Sequence, residues 1–430
     1  MEIRDPVHGS LELSEQEVAV IDSAEYQRLR AIKQLGFSEF SFPGATHNRY
    51  LHSIGVCHLA GAAFDQLFKT YEFSSNKVRS RLRQAFRLGA LLHDIGHGPL
   101  SHTTEEVMPQ LSKLKVDVYK KKRGEPKDRK ANHEDYTIKY LTDSPLSEIL
   151  KKQFPDLTPL HVACLIDKAL PCPDDFFMDK DLNFRPILSQ LVSSELDVDR
   201  MDYLERDSYF CGTNYGKVDL SWLLANLTMY DNQGEIHLGL NRRALYTFDD
   251  FLISRHHMHL MVYFHHKSII YEEMLVRYLT SKDCSFFLPS DINDYTRYND
   301  YALYEHLAKV ENKWAKRIAQ RKPFRVLIEL HHTSESPRPG HIQKALESEG
   351  LDVIVASSSA RLSKYHVTSP DDQQFPIYVV DQYDKRDKPN IIEKSTQIFQ
   401  KYEGARIIDR VYVAPEQYAK AQKVLTSKNL

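Results

Sequence analysis

The chain is predicted to be mainly α-helical, with a smaller C-terminal α+β lobe. Two observations carry this expectation. Over the first two thirds, apolar residues recur at helical spacing between capping signals and helix-ending glycines. Beyond about residue 320, short runs rich in β-branched residues alternate with helical segments.

Taken in order, Ser14-Glu-Gln-Glu17 has the form of a capping box, and the periodic pattern that follows runs to about Gln34. Further helices are expected over 52–70, 77–94, 132–142 and 186–205, with a long one over 244–279. Gly96, Gly98 and Pro99 end the 77–94 helix and turn the chain sharply. His93 and Asp94 therefore fall at a helix C-terminal end, beside a loop that can approach a ligand closely. In the last third, Phe324-Arg-Val-Leu-Ile-Glu-Leu330, Asp352-Val-Ile-Val-Ala356 and Ile377-Tyr-Val-Val380 read as strands, between helices near 339–349, 389–402 and 415–425.

The 430 residues can bury a substantial core, and length alone suggests two or three domains. A net charge of −2 does not announce a polyanion partner, so any such case rests on local clusters. One is the Lys- and Arg-rich stretch 113–130, read first as a solvated loop and alternatively as a contact for polyphosphate or nucleic acid. Five cysteines without a CxxC pair fit a reducing cytoplasm. No leader pattern and no apolar run near membrane-spanning length stand out. A P-loop, a GxGxxG turn and a GxSxG elbow are all missing from the sequence.

The chemistry centres on the doublet His93-Asp94. Imidazole nitrogen and carboxylate oxygen both ligate first-row divalent ions. The residues around the doublet, Leu88, Leu91, Leu92 and Ile95, look like core. An unpaired carboxylate buried there costs several kcal/mol, a penalty that a bound cation removes. His52 and Asp199 are distant candidates for the same ion, and such a set suggests a metal-activated water aimed at phosphorus. His97, His102 and His133 are imidazoles within plausible reach, suited to binding phosphate or protonating a leaving oxygen. Arg255, His259 and Tyr263 recur at i, i+4 and i+8. They form either an interhelical polar seam or a wall for phosphate and base.

Four blocks carry a family resemblance: Glu25-Tyr-Gln-Arg-Leu-Arg-Ala-Ile-Lys-Gln-Leu-Gly36, Phe42-Pro-Gly-Ala-Thr-His-Asn-Arg-Tyr-Leu-His-Ser-Ile-Gly-Val56, the stretch from His93 to His102, and Asp197-Val-Asp-Arg-Met-Asp-Tyr203. Together they resemble the HD-domain deoxynucleoside triphosphate triphosphohydrolases, and within them the SAMHD1 branch. The likeness runs in order over about residues 3–280.

That resemblance implies a helical HD core and a metal held by His52, His93, Asp94 and Asp199. The His and Asp ligands suit Fe, Mn, Zn or Ni, with further Mg or Mn accompanying the substrate. The implied reaction converts a dNTP to the deoxynucleoside and intact triphosphate by water attack at the α-phosphorus. Arg49, His97, His102, His133, Arg200 and Tyr263 match positions around the phosphates, with His102 as general acid. Gln34, Tyr203 and Asp207 match sugar-reading positions, and Leu35 beside them suits a wall at C2′. Arg255 and His259 match further pocket positions.

The branch also implies a homo-oligomer, dimer or tetramer, with GTP or dGTP as effector. Asp22, Gln27 and Arg30 match guanine-reading positions, and Arg321 and Arg325 match effector-phosphate contacts. Met1-Glu-Ile-Arg4 departs from the branch pattern, which leaves the effector's identity open. On this reading residues 1–285 form the HD core with an N-terminal effector segment, 286–320 a helical connector and 321–430 the lobe. Two alternatives remain at this point: an HD phosphohydrolase acting on another nucleotide or nucleic acid, and a nucleotide or nucleic-acid sensor with little turnover.

Overall fold

The structure, a computed structural model, describes residues 1–121, 128–334, 336–360, 375–381, 383, 388–401 and 404–430. An antiparallel hairpin of β1 (Glu2–Asp5) and β2 (Gly9–Glu12) leads into helix α1 (Glu15–Ile21). The capping box forms: Ser14 Oγ accepts from the Glu17 N–H at 3.1 Å, and the Glu17 carboxylate accepts from the Ser14 N–H at 2.9 Å. The helix expected to reach Gln34 stops instead at Ile21. Ser23 starts a new one-turn helix, its hydroxyl accepting from the Tyr26 N–H at 3.3 Å, and a 3-10 turn covers Arg28–Ala31. A serine that offers the backbone a local acceptor favours a new start over a helix interior.

The body is built from α2 (Arg49–Leu67), α3 (Asn76–Leu92), α4 (His133–Thr142), α5 (Pro159–Ile166), α6 (Arg185–Val192) and α7 (Val198–Cys211). α2 is buried on nearly every side, as a helix in the middle of a bundle should be, and it packs on both α3 and α7. Gly55 permits that approach, since a Cβ there would lie 2.0 Å from Asp202 Oδ1.

Two helices expected as single elements are each broken. The 186–205 helix is α6 and α7, separated where Asp197 caps α7: its carboxylate accepts from the Ser194 and Arg200 N–H groups, both at 2.8 Å. The long 244–279 helix is α8 (Leu245–Met258), a wide π turn over His259–Tyr263, and α9 (His266–Leu279). His265 caps α9, its Nδ1 accepting from the Lys267 N–H at 3.3 Å.

A hairpin not anticipated from the sequence, β3 (Leu227–Asn232) and β4 (Glu235–Asn241), lies beside α6. The C-terminal lobe holds β5 (Arg325–His332), helix α10 (Arg338–Glu347) and β6 (Val353–Ala360). The run at 377–380 is indeed a strand, β7 (Tyr378–Val380), but it pairs with β4, in parallel register with Gly239 opposite Tyr378, and on its other side with the short antiparallel strand Asn390–Ile391. It thus extends the sheet of the body. The lobe's central strand is instead β8 (Arg406–Val413), antiparallel to both β5 and β6. Charges inside β8 obscured its pattern, and each has a partner: Asp409 Oδ2 lies 2.7 Å from His332 Nε2, and Arg410 Nε donates to Glu329 at 2.6 Å. α10 and α11 (Tyr418–Lys428) pack on this sheet around Ile342, Leu346, Val411, Val413, Ala421 and Val424. The 389–402 segment forms two short turns of helix, Ile392–Ser395 and Ile398–Lys401.

Of the Lys-rich stretch, residues 122–127 lie outside the described residues. Lys120, Arg129 and Lys130 are ion-paired, to Asp117, Asp135 and Glu106 respectively. Among the described residues no helix is long and apolar enough to cross a membrane.

Candidate metal centre

α2, the end of α3 and the first turn of α7 meet at one point. His52 and His93 present Nε2 atoms 3.0 and 3.4 Å from the same oxygen, Asp199 Oδ1. Asp94 closes the set, Oδ2 at 3.6 Å from His52 Nε2 and Oδ1 at 3.4 Å from His93 Nε2. Ligand atoms from His52, His93 and Asp94 all lie within 4.8 Å of one another.

The opposite ring nitrogens set the tautomers. His93 Nδ1 lies 2.8 Å from the Ala90 carbonyl, which can only accept, so the neutral ring keeps its proton there and turns a bare Nε2 inward. His52 Nδ1 lies 2.8 Å from the Asp202 carboxylate, with the same result. Both Nε2 atoms are buried and lack a well-formed hydrogen bond. Two orphaned imidazole lone pairs among carboxylates are what a divalent cation satisfies, so the residues present fit the metal that the sequence implies. The local field favours positive charge as well. Burial disfavours the His52 imidazolium, yet the carboxylates of Asp199 and Asp202 outweigh it and raise the ring to about 10, so without a cation they draw a proton onto the position a cation would take. Burial also opposes ionisation of Asp94, but Arg49, His93 and His97 together hold its carboxyl well below the usual carboxylate range.

The turn after the doublet is pinned from three sides. Thr137 Oγ1 donates to the His93 carbonyl at 3.1 Å and accepts from the Gly96 N–H at 3.0 Å. Tyr295 donates to the Gly96 carbonyl at 2.8 Å, and Arg28 donates to the carbonyls of Ile95 and His97. Gly96 is required here because a Cβ would meet the His133 carbonyl oxygen at 2.1 Å. Leu100 and Ser101 follow with φ of 52° and 59°, a left-handed pair without glycine, of the kind that collects at functional sites.

That turn delivers the three remaining histidines. His97 and His133 stack with ring centroids 3.9 Å apart, and His102 stands edge-on to both at 5.0 and 4.9 Å. Glu105, which sequence reasoning missed, joins two of them: its Oε1 lies 2.6 Å from His133 Nδ1 and 3.2 Å from His102 Nδ1. Burial opposes its charge, but those two imidazoles pull Glu105 down to about 2. Its place three residues after His102 was the available signal. Burial, reinforced by Arg49 and His133, holds His97 neutral, well below the usual imidazole range.

Arg49 reaches Asp94 and Ser101 Oγ, the latter at 2.8 Å from Nη2. Arg200 and Arg255 are paired with Asp197 and Glu195, the second pair at 2.7 Å. Asp207 accepts from Tyr263 at 2.8 Å and faces His47 Nε2 at 2.7 Å, so His47 belongs to this group although the sequence did not single it out. Tyr203 lies edge-on to Tyr263 at 6.4 Å, and His259 edge-on to Tyr263 at 5.0 Å. The π turn thus replaces the regular helical face expected for His259 and Tyr263. Gln34 Oε1 is buried without a partner, and Leu35 beside it is half-buried. Farther out, Gln27 accepts from Arg30 Nε at 2.7 Å and Arg30 lies over the Tyr50 ring at 3.6 Å, with Asp22 also acting on Tyr50. Arg321 and Arg325 lie over other rings, Phe40 at 5.3 Å and Tyr418 at 4.2 Å.

A second cluster, His161, Cys172 and Asp174, has ligand types at close range. There His161 Nδ1 accepts the Thr158 N–H at 2.9 Å, so the neutral ring carries its proton on Nε2, toward Asp174. That tautomer has no lone pair for an ion.

Residues 49–207 match the HD domain family and residues 218–348 the HD associated region. An uncharacterised protein of Methanocaldococcus jannaschii is 30% identical over 78% of this chain and 61% of its own length. A protein of Dictyostelium discoideum named a deoxynucleoside triphosphate triphosphohydrolase SAMHD1 homolog is 30% identical over 68% of this chain and 51% of its own length. The chain therefore spans less than two thirds of these relatives. The crystal structure of a hypothetical protein from Aquifex aeolicus is similar with a TM-score of 0.73 and 27% identity, over 99% of both chains. With His52, His93, Asp94 and Asp199 all inside the HD match and SAMHD1 homologues among its relatives, the chain belongs to the HD-domain family, in its SAMHD1-like branch.

Proposed function

We propose that this protein hydrolyses dNTPs to deoxynucleoside and inorganic triphosphate. The observation that carries the reading is the convergence of two bare imidazole nitrogens, His52 Nε2 and His93 Nε2, on Asp94 and Asp199, beside the His97–His102–His133 group. The names of the SAMHD1 relatives support the choice of substrate.

A divalent cation held by His52, His93, Asp94 and Asp199, Fe, Mn, Zn or Ni by donor type, supplies Lewis acidity and lowers the pKa of water. The chain's own residues do the rest. Arg49, His97, His133 and Arg200 hold the triphosphate. As water adds at the α-phosphorus and the bond to the 5′ oxygen breaks, His102 gives that oxygen a proton from Nε2, with Glu105 fixing Nδ1. The unpartnered Gln34 oxygen accepts from the sugar's 3′-hydroxyl, Tyr203 and Asp207 line the same side, and Leu35 blocks a 2′-hydroxyl. Arg255, His259 and Tyr263 enclose the base and phosphates.

Under the same proposal the protein is a cytoplasmic homo-oligomer, dimer or tetramer, activated by GTP or dGTP. Asp22, Gln27 and Arg30 read the guanine and Arg321 and Arg325 its phosphates. Residues 1–285 act as the catalytic body, 286–320 as a connector and 321–430 as the lobe, with β7 returning to the body.

The test is product analysis with each dNTP and Mn²⁺ or Mg²⁺, with and without GTP or dGTP. Tripolyphosphate is the expected product. Its absence under every condition, or orthophosphate release and oligonucleotide cleavage with dNTPs intact, would overturn the dNTPase reading.

A further inference from the structure

The buried carboxylate of Asp202 touches His52, and it also touches the N-terminal hairpin. His8 Nε2 lies 2.6 Å from Asp202 Oδ1, while His52 Nδ1 lies 2.8 Å from Oδ2. Arg206, fully buried, donates to the same carboxylate from Nε at 2.8 Å and Nη2 at 2.9 Å. Its remaining nitrogen, Nη1, donates to Asp5 Oδ2 at 2.8 Å. Asp5 in turn fixes the direction of His8, since its Oδ1 accepts the N–H groups of Val7 and His8, both at 2.9 Å. His58 of α2 stacks behind His8 with centroids 6.0 Å apart.

Asp5 builds the turn, the turn aims His8, and His8 shares with His52 a carboxylate that has no exposure to solvent. Because Asp202 holds His52 Nδ1, whatever moves Asp202 alters the aim of His52 Nε2. The same hairpin carries Arg4, paired across it with Ser10.

We infer that the β1–β2 hairpin is a positioning element of the metal centre, with His8 acting on His52 through Asp202. This rests on His52 being a metal ligand. By reciprocity, seating the hairpin strengthens metal binding, and metal binding holds the hairpin down.

The experiment titrates the full-length metal-free protein with Mn²⁺ by calorimetry, and follows amide exchange in residues 3–11 with and without the ion. The proteins compared are wild type, His8→Ala and His8→Gln, whose amide can donate a similar bond. His8→Ala is expected to weaken Mn²⁺ binding about tenfold, with His8→Gln recovering part of the loss. Mn²⁺ should slow hairpin exchange in wild type and leave it unchanged in His8→Ala. Unaltered Mn²⁺ affinity in His8→Ala, even with a lowered melting temperature, would overturn the inference alone. No Mn²⁺ uptake by wild type would remove the metal reading, and the inference with it.

Discussion

His52 Nδ1 and Asp202 Oδ2 lie 2.8 Å apart, and this contact turns the opposite ring nitrogen, Nε2, toward Asp94 and Asp199. Burial alone would drive Asp202 toward its neutral form, but Arg206, His52 and His8 together keep it ionised well below the usual range. Replacing the carboxylate by an amide keeps the shape and permits the opposite tautomer. Asp202→Asn is therefore expected to lower metal affinity about 10–100-fold, measured by Mn²⁺ titration. Unchanged affinity would mean that the ring is oriented by packing alone.

Glu105 holds His102 and His133 by the same oxygen. If His102 is the proton donor, His102→Ala should lower kcat by about 10²–10⁴-fold with metal content unchanged. Glu105→Gln should give a smaller loss in kcat and little change in KM. A drop confined to KM would instead assign His102 to binding.

Gly96 faces the backbone of α4 with no room for a methyl group. Gly96→Ala forces the turn and α4 apart, and is expected to destabilise the protein by about 1–3 kcal/mol, read by urea unfolding. Activity should fall further than folding does, because the same turn aims His97.

Asp300 ties two loops together, accepting the Lys33 N–H at 2.9 Å and the Leu100 N–H at 2.8 Å. Burial outweighs those donors and the nearby charges of Lys33 and Arg49, and raises its carboxyl from 3.8 to about 6. The folded state therefore binds a proton more tightly than the unfolded chain. Ionisation of Asp300 costs nothing below pH 3.8, costs progressively more up to about 6, and is constant above that. Asp300→Asn removes the term. The stability of the variant relative to wild type should thus climb across this interval and then level off, by urea titration at a series of pH values.

The sequence made the helical body and the His–Asp doublet easy to see because both are local patterns. Periodicity marks α3, α2 is apolar nearly all round, and His93-Asp94 directly follows the apolar last turn of α3. Breaks within long helical runs were harder, since Ser23, Asp197 and His265 interrupt them by side-chain capping that leaves the apolar spacing nearly intact. β8 was hidden by Asp409 and Arg410, whose partners are over 75 residues away in His332 and Glu329. Glu105, Asp202 and His8 matter through contacts with distant elements, and only folding brings those into view.

β7 hydrogen-bonds to β4 from a position more than 130 residues downstream, and Gln190 reaches over to donate to the carbonyls of Phe375 and Pro376. Cutting the chain before the lobe would therefore not trim an appendage. It would strip a strand from the body and leave β4 with open backbone donors and acceptors along an apolar edge, an invitation to intermolecular pairing. A catalytic fragment ending near residue 320 is thus expected to aggregate where the full chain does not.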